Sequence, residues 1–347
     1  MSQPRKAVAL ISGGLDSMLA ARVVMAQGVH VEGINFFTGF CVEGHTHAIR
    51  KKDRSRPKRN NALWVAEQLG IKLHIVDVID EYKAIVLNPQ HGYGANLNPC
   101  LDCKIFMVNR AHDWMQSNGF DFIITGEVIG QRPKSQRRDS MPVIASESGV
   151  GEYLVRPLSA RNLPETIPER EGWLDREKLH DFSGRSRKPQ IRLASSFGFE
   201  DYAQPAGGCC FLTDRQYAVK LEDLWSTRGT RDYELDDIML LKVGRHLRPR
   251  PHFKLIIARE EGECRFLEGY RKQFTHFITL SHSGPLALLD GNADSDDLQL
   301  AARLIARFSQ GRDADQVSVQ ITGTDGESRV IEVAPLSSAE IPEEWYV

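Results

Sequence analysis

The chain has 347 residues, of which 41% are hydrophobic and 26% are charged, and its formal net charge is −2. This is an ordinary globular composition, long enough for roughly two domains. The near-neutral charge excludes a globally basic nucleic-acid binder, and no apolar run reaches the ~18–20 residues of a membrane span. The first residues show no signal-peptide pattern, so we expect a cytoplasmic protein whose six cysteines are reduced.

The first part of the chain alternates predicted strands and helices. In chain order the elements are a strand at Ala7–Ile11, a helix at Met18–Gln27, a strand at Val29–Phe37, a helix at Ala62–Leu69, a strand at Lys72–Val78, a helix at Cys103–Asn118 and a strand at Phe122–Thr125. This alternation predicts an α/β fold, with a parallel sheet covered by helices on both faces. Such sheets bind ligands at the carboxyl ends of their strands.

The remainder of the chain has a different sequence pattern. Residues 140–211 are irregular and rich in proline, with helical stretches near Glu165–Glu171 and Asp175–Asp181. From about Asp232 the pattern predicts a small α+β module. Its predicted elements are strands at Ile238–Val243, Phe253–Ala258, Phe274–Leu280, Gly284–Leu289 and Val317–Ile321, and a helix at Leu298–Phe308.

The most specific motif is Ser12-Gly13-Gly14-Leu15-Asp16-Ser17, directly after the first strand and before the first helix. A glycine turn there aims backbone N–H groups and a helix N-terminus at one point, where a phosphate would bind. The two serines add hydroxyl donors, the two glycines allow close approach, and Asp16 can face a magnesium ion. Serine and glycine also mark ordinary turns, but the flanking strand and helix favour a phosphate site.

Four cysteines are grouped in the sequence. Cys100 and Cys103 open a helix as a C-x-x-C motif, and Cys209 and Cys210 are adjacent after two glycines. Three interpretations are open: buried structural thiols, a structural zinc, or a [4Fe–4S] cluster bound by three of the four with one iron open. The third includes a version without a cluster, in which Cys100 and Cys209 or Cys210 carry a persulfide and resolve it as a disulfide. Adjacent cysteines are poor zinc ligands, which favours the third interpretation.

Basic residues are concentrated in four runs, at positions 50–59, 132–138, 185–188 and 245–250. Any one run is more simply a solvated loop. Four runs around the candidate chemistry favour an electrostatic footprint for RNA on a protein that is neutral overall.

The motifs together resemble a known family. The loop at residues 12–17, Cys100-x-x-Cys103-Lys104, and the segment from Thr125 to Gln136 resemble the ATP-dependent tRNA thiouridine sulfurtransferases, above all the catalytic domain of tRNA 4-thiouridine synthase. The segment Asn98-Pro99-Cys100 and the late cysteine pair also look like tRNA 2-thiouridylase. From Val243 onward the chain faintly resembles the NFACT RNA-binding domain.

The resemblance implies a PP-loop domain like the adenine nucleotide alpha hydrolases at residues 1–215, a linker at 216–231, and a C-terminal α+β domain at 232–347 that binds RNA. It also implies an enzyme that uses ATP and Mg²⁺ to adenylate a uridine carbonyl oxygen of tRNA, after which sulfur displaces AMP. The implied partners are tRNA and a sulfur donor, either a cysteine desulfurase or sulfide, with no membrane. A homodimer is one option for the oligomeric state.

In this family, residues at the strand ends bind the nucleotide. Gly126, Glu127 and Gln131 are suited to the nucleotide or its metal, and the backbone near Phe36 to the adenine. Lys134, Arg137 and Arg138 are candidates for RNA phosphates, with a solvated loop as the alternative. Two other classes stay open: a PP-loop enzyme with a small-molecule substrate, and a non-catalytic RNA-binding protein.

Overall fold

The computed structural model describes residues 4–42, 60–202 and 210–347, which form two compact units that meet in sequence between Thr213 and Asp214. The basic run at positions 50–59 and Cys209 lie outside the described residues. Within the described ranges, no helix is both long and apolar enough to cross a membrane.

The first unit alternates strands and helices as predicted. Its elements are β1 (Lys6–Leu10), α1 (Leu15–Met25), β2 (His30–Phe37), α2 (Asn61–Leu69), β3 (Leu73–Asp77), α3 (Ile79–Leu87), α4 (Cys100–Ser117), β4 (Phe122–Ile124), α5 (Ser140–Glu147), β5 (Leu154–Val155), α6 (Ile167–Arg170) and α7 (Lys188–Ser196). The strands form one parallel sheet in the order β3-β2-β1-β4-β5. The predicted parallel α/β fold is confirmed.

Helices cover both faces of this sheet. Ala7 and Ala9 of β1 pack in the apolar cluster that contains α1 and α2, whereas Val8 packs in the cluster that contains α4 and α5. Because successive side chains of a strand point to opposite faces, burial on both sides requires the continuous apolar run seen in β1.

The chain reverses its winding direction at β1. From β1 it passes to β2 and β3 on one side and then crosses to β4 on the other side of β1. In open parallel sheets a crevice forms at such a point, outside the carboxyl ends of the two strands. The segments that follow β1 and β4, residues 11–14 and 125–131, therefore meet at this crevice.

The second unit is an antiparallel sheet with helices. Its elements are α8 (Arg215–Arg228), α9 (Leu235–Leu240), β6 (Arg245–Arg250), β7 (Phe253–Ile257), α10 (Glu261–Glu268), β8 (Thr275–Thr279), β9 (Ala287–Gly291), α11 (Ser295–Arg307), β10 (Val317–Thr322) and β11 (Ser328–Val333). The sheet order is β11-β10-β8-β9-β7-β6. Helix α11 packs in the apolar cluster on one face, and α9 and α10 contribute to the cluster on the other.

One predicted strand is wrong, and one predicted linker is helical. The run Ile238–Val243 begins inside helix α9, which starts with a capping box between Glu234 and Asp237. An apolar run this short fits a buried strand or a buried helix equally well, and the acidic cap decides for the helix. Residues 216–231, predicted as a linker, largely belong to α8, which buries Leu221 and Leu224.

Candidate functional site

The loop between β1 and α1 is shaped by its glycines and serines. Gly13 has a φ of 80°, which glycine adopts at little cost. Ser17 donates its hydroxyl to the carbonyl of Gly14 at 2.8 Å, and the Ser12 and Ser17 hydroxyls lie 3.4 Å apart. Gly14 is the N-cap of α1. A glycine there has no side chain to occupy the first N–H groups of the helix, which are the groups that bind anions at helix N-termini.

Asp16 lies in the first turn of α1, and only one of its two carboxylate oxygens accepts a hydrogen bond from a described residue. Its Oδ2 accepts a hydrogen bond from Gln131 Nε2 at 2.5 Å and lies 3.7 Å from Arg187. Its Oδ1 is buried and has no hydrogen-bond partner among the residues that the structure describes. Burial raises the pKa of the Asp16 carboxyl above its usual range, and the Arg187 charge opposes this rise only in part.

A buried carboxylate oxygen without a partner is costly unless a ligand completes it. Carboxylate oxygens next to phosphates are the protein ligands that Mg²⁺ prefers. The residues at this loop therefore fit a magnesium ion with a phosphate group. Mg²⁺ usually keeps several waters and binds substrate phosphates directly. One protein carboxylate, that of Asp16, is therefore enough to hold it at this loop.

A chain of side-chain amides positions Asp16 from a distant part of the sequence. Gln190, which is fully buried on α7, donates from Nε2 to Gln131 Oε1 at 2.8 Å, and Gln131 in turn donates to Asp16. Sequence reasoning missed Gln190. Arg187 was noted only as part of a basic run, and no local pattern signals that either residue reaches the loop.

Replacing Gln190 with alanine is expected to weaken nucleotide binding because Gln131 loses the bond that orients its amide. The loss of one such hydrogen bond costs about 1 kcal/mol, which corresponds to about a fivefold rise in the Kd for ATP. The measurement is ATP-analogue binding, with Gln116→Ala on α4 as the matched control because Gln116 is exposed. Equal affinity in the two variants would contradict the positioning role.

Gly126 brings the end of β4 against the loop. A Cβ atom at this position would lie 2.5 Å from the carbonyl carbon of Asp16 and 2.5 Å from the backbone nitrogen of Ser17. No real Cβ makes such contacts, so only glycine allows the two backbones to approach this closely. The identity of residue 126 is thus tied to the shape of the loop at residues 12–17.

Glu127 is buried and bound to the protein's own cations. Its Oε2 accepts hydrogen bonds from Thr125 at 2.9 Å and Arg156 at 3.0 Å, and Lys104 lies 4.0 Å from Oε1. Burial acts to raise the pKa of Glu127, but Lys104 and Arg156 outweigh it and the net pKa is lowered. Glu127 is therefore ionised, and it joins the ends of β4 and β5 to the first turn of α4.

One loop joins the nucleotide end of the crevice to the first cysteine pair. Cys100 Sγ lies 3.3 Å from Ser135 Oγ, and Ser135 follows Gln131 in the segment after β4. The same loop therefore contacts Asp16 through Gln131 and Cys100 through Ser135. Cys103, one turn along α4, is half-buried.

Cys210 lies at the same edge of the sheet. It forms an antiparallel bridge with Cys41, which follows the carboxyl end of β2. Asn96 Nδ2 donates to the carbonyl of Thr213 at 2.8 Å, which fixes the Cys210 segment to the loop that precedes Cys100. The structure thus brings Cys210 to the edge that holds Cys100 and adds Cys41, which is not one of the four cysteines grouped in the sequence.

The described cysteines do not form a metal site. In the ranges 4–42, 60–202 and 210–347, no three side chains of histidine, cysteine, aspartate or glutamate are grouped closely enough to hold a metal ion. Of the predicted cluster ligands, Cys100, Cys103 and Cys210 are therefore not gathered into a ligand set, and Cys209 lies outside the described residues. The donors among the described residues do not fit a [4Fe–4S] cluster or a zinc ion, and no step is assigned to either.

The other predicted contact residues have local partners. The Phe36 side chain is buried in the apolar cluster on the α4 face, which leaves only its backbone to meet a base. Lys134 donates to the carbonyl of Tyr93 at 2.7 Å. Arg137 pairs with Asp139 at 3.0 Å, and Arg138 donates to the carbonyl of Asn162 at 3.2 Å. Lys134, Arg137 and Arg138 are exposed.

The fold and the loop define the class of the first unit. A lysine-free glycine loop at the crevice of a parallel sheet, with an acidic residue in the first helical turn, fits a PP-loop nucleotide-binding domain and does not fit the lysine-containing P-loop of phosphoryl-transfer enzymes. Residues 5–150 match the family model of the tRNA methyl transferase HUP domain, and residues 244–346 match that of the NFACT protein RNA binding domain.

The relatives that match this chain include tRNA-specific 2-thiouridylases. MnmA of Petrotoga mobilis is 26% identical over 251 residues, which cover 70% of this chain and 64% of that protein. MnmA of Pelobacter propionicus is 23% identical over 318 residues, covering 90% and 78% respectively. A solved complex of a 4-thiouridine synthetase with RNA and bound ATP is 21% identical, covers 56% of this chain and 51% of that one, and has a TM-score of 0.34.

The chain thus spans about two thirds of the length of the first of these relatives. Its amino-terminal part is similar to the tRNA methyl transferase HUP domain and to the tRNA-specific 2-thiouridylases. The resemblance predicted from the sequence motifs is confirmed, and so is the NFACT-like segment.

Proposed function

We propose that the protein thiolates a uridine of tRNA in an ATP-dependent reaction. ATP adenylates a carbonyl oxygen of the base with release of pyrophosphate, and sulfur then displaces AMP from the activated carbon. The observation that carries the proposal is the buried Oδ1 of Asp16 at the N-terminus of α1, which has no hydrogen-bond partner in the described part of the chain. The relatives' activity supports uridine as the substrate.

The loop residues act on the phosphates. The N–H groups of the first turn of α1 and the hydroxyls of Ser12 and Ser17 provide preorganised donors for the charge that develops on pyrophosphate as it leaves. Asp16 would hold Mg²⁺, which supplies charge neutralisation on the phosphate oxygens when bound. Gln131 and Gln190 keep the Asp16 carboxylate in place.

The cysteines supply the sulfur. Cys100 carries a persulfide whose outer sulfur attacks the adenylated carbon, and AMP leaves with the electron pair of the broken C–O bond. A Cys210 thiolate then attacks the inner sulfur of Cys100, which forms a Cys100–Cys210 disulfide and releases the thiouridine. Cys209 is the alternative second thiol. A cysteine desulfurase provides the sulfur: the Cys100 thiolate takes the outer sulfur of the desulfurase persulfide, and the desulfurase cysteine leaves as a thiolate.

RNA binding is assigned to two regions. Residues 244–346 match an RNA-binding domain family, and Lys134, Arg137 and Arg138 are exposed cations on segments next to the crevice. Salt-sensitive contacts to phosphate position an RNA without reading its sequence. The proposal places this work in the cytoplasm, where tRNA is the substrate.

Pyrophosphate release tests the proposed function. The protein is incubated with Mg²⁺ and ATP, with and without bulk tRNA, and pyrophosphate is measured together with thionucleosides in digested RNA. Release that depends on tRNA, with a thionucleoside product, supports the proposal. Release without tRNA indicates a small-molecule substrate, and tRNA binding without release indicates a non-catalytic RNA-binding protein; either result overturns the proposal.

Replacing Cys100 with alanine separates the two steps. Adenylation needs the loop and not the thiol, so we expect tRNA-dependent pyrophosphate release within about twofold of the unmodified protein and no thionucleoside. The matched control is Cys264→Ala, because Cys264 is a half-buried cysteine of α10 in the second unit. Normal thionucleoside formation by the Cys100 variant would contradict its assignment as the sulfur carrier.

A further inference from the structure

A cysteine that the proposed reaction does not use lies opposite Cys210. Cys41 and Cys210 form an antiparallel bridge, and the Phe211 N–H donates to the Phe40 carbonyl at 2.9 Å. Phe40 precedes Cys41 and Phe211 follows Cys210, so the hydrogen bond flanks the two cysteines and does not join them. They are therefore a non-hydrogen-bonded antiparallel pair, the kind in which opposite side chains come closest.

This geometry suits a disulfide. Non-hydrogen-bonded pairs have a Cα–Cα separation of about 4.5 Å, and disulfides span Cα–Cα distances of about 4.4–6.8 Å. Opposite residues of an antiparallel bridge project to the same face. Both cysteines are half-buried. The two sulfur atoms can therefore bond without a rearrangement of the backbone.

The surroundings of the two sulfur atoms are polar. The backbone N–H of Leu212 donates to Cys210 Sγ at 3.4 Å, and Thr38 Oγ1 lies 3.5 Å from Cys41 Sγ. The pair therefore differs from inert cysteines packed among apolar side chains.

We propose that Cys41 and Cys210 are a redox pair that takes over the disulfide left by sulfur transfer. This inference rests on the proposed function, which leaves a Cys100–Cys210 disulfide. The Cys41 thiolate attacks the Cys210 sulfur, a Cys41–Cys210 bond forms as the Cys100–Cys210 bond breaks, and Cys100 leaves as a thiolate. The exchange involves no net oxidation. A dithiol reductant then restores both thiols and is itself oxidised to a disulfide.

The relay gives Cys41 a defined task. It returns Cys100 to the thiolate form that accepts the next sulfur atom. The disulfide then joins Cys41 and Cys210, farther along the sheet edge at β2. The nucleotide end of the crevice, which Cys100 approaches through Ser135, is then clear of the disulfide.

Disulfide mapping tests the pair without reference to activity. The full chain is oxidised with diamide, remaining thiols are alkylated, and cross-linked peptides are identified by mass spectrometry in the Cys209→Ser variant, which removes the ambiguity between adjacent cysteines. We expect a Cys41–Cys210 disulfide that persists in Cys100→Ser and is unaffected by Cys264→Ser. A Cys41 that is fully alkylated while other disulfides form would overturn the inference.

Turnover with a limiting dithiol tests the relay itself. Cys41→Ser and Cys41→Ala should make about one thionucleoside per chain as fast as the unmodified protein and then stall, because Cys100 stays in its disulfide. Unchanged later turnovers in both variants would overturn the relay. If the unmodified chain makes no thionucleoside, the proposed function fails, whereas the mapped disulfide still decides whether the pair exists.

Discussion

Replacing Asp16 with asparagine is expected to abolish tRNA-dependent pyrophosphate release while leaving the protein as stable as before or more stable. The amide keeps the shape of the side chain but removes the charge that would hold Mg²⁺ beside the phosphates. Loss of one preorganised electrostatic group in an active site lowers kcat by about 10²–10³-fold. The measurement is the pyrophosphate release rate at saturating Mg²⁺ and ATP.

The stability change has a definite sign. The pKa of Asp16 is raised by burial, so the folded state binds a proton more readily than the unfolded state does. The contribution of Asp16 to the free energy of unfolding therefore falls as pH rises from the usual aspartate range through the raised pKa. Asparagine removes this dependence, and Tm should not fall at neutral pH.

The control for this variant is Asp113→Asn, because Asp113 is an exposed carboxylate on α4 that pairs with Arg110 at 3.2 Å. It should change neither rate nor Tm appreciably. Pyrophosphate release by Asp16→Asn at the rate of the control would exclude Asp16 from the nucleotide site. A lower Tm without a change in rate would make its role structural.

Replacing Gly126 with alanine should damage both the fold and the reaction. The added methyl group would meet the backbone of Asp16 and Ser17 at 2.5 Å, so either β4 or the loop must move. Overpacking of this kind costs about 1–3 kcal/mol, and moving the loop misaligns its N–H donors. We expect a lower Tm and a pyrophosphate release rate reduced by more than about tenfold.

Two glycine variants separate these effects. Gly269 lies in the second unit and has a φ of −62°. The nearest atom to a Cβ added there is 3.4 Å away, so Gly269→Ala controls for the glycine-to-alanine change itself. At Gly14 a Cβ atom has room, since its nearest neighbour, Ser12 Oγ, is 3.6 Å away. Gly14→Ala should keep its Tm but bind nucleotide less tightly. Equal Tm values for the Gly126 and Gly269 variants would contradict the close approach.

Much of the first unit follows from local sequence patterns. Strands buried on both faces require continuous apolar runs, and β1 and β4 have them. The Ser12–Ser17 motif lies between a strand and a helix, so its place at the crevice follows from topology alone. The position of Gln131 after the end of the predicted fourth strand made it a candidate for the nucleotide or its metal, although its partners could not be identified.

Contacts made over long distances in the sequence could not be foreseen. Gln190 reaches Gln131 from a segment that has no regular pattern of its own, and it is buried only because α7 packs against α1. Cys41 and Cys210 are far apart in the sequence. They pair because the segment that contains Cys210 returns to the carboxyl end of β2. In the second unit, the charged strand β6 and the largely exposed strand β11 lack the apolar alternation by which strands are recognised.

The amide chain from α7 to Asp16 has a consequence for how this protein can be divided. The HUP match ends at residue 150, yet Arg187 and Gln190 come after it. A fragment cut at that boundary would keep every residue of the glycine loop and lose the two side chains that steady its carboxylate. During synthesis on the ribosome, the loop would likewise stay incomplete until Ser196 had emerged and α7 had docked.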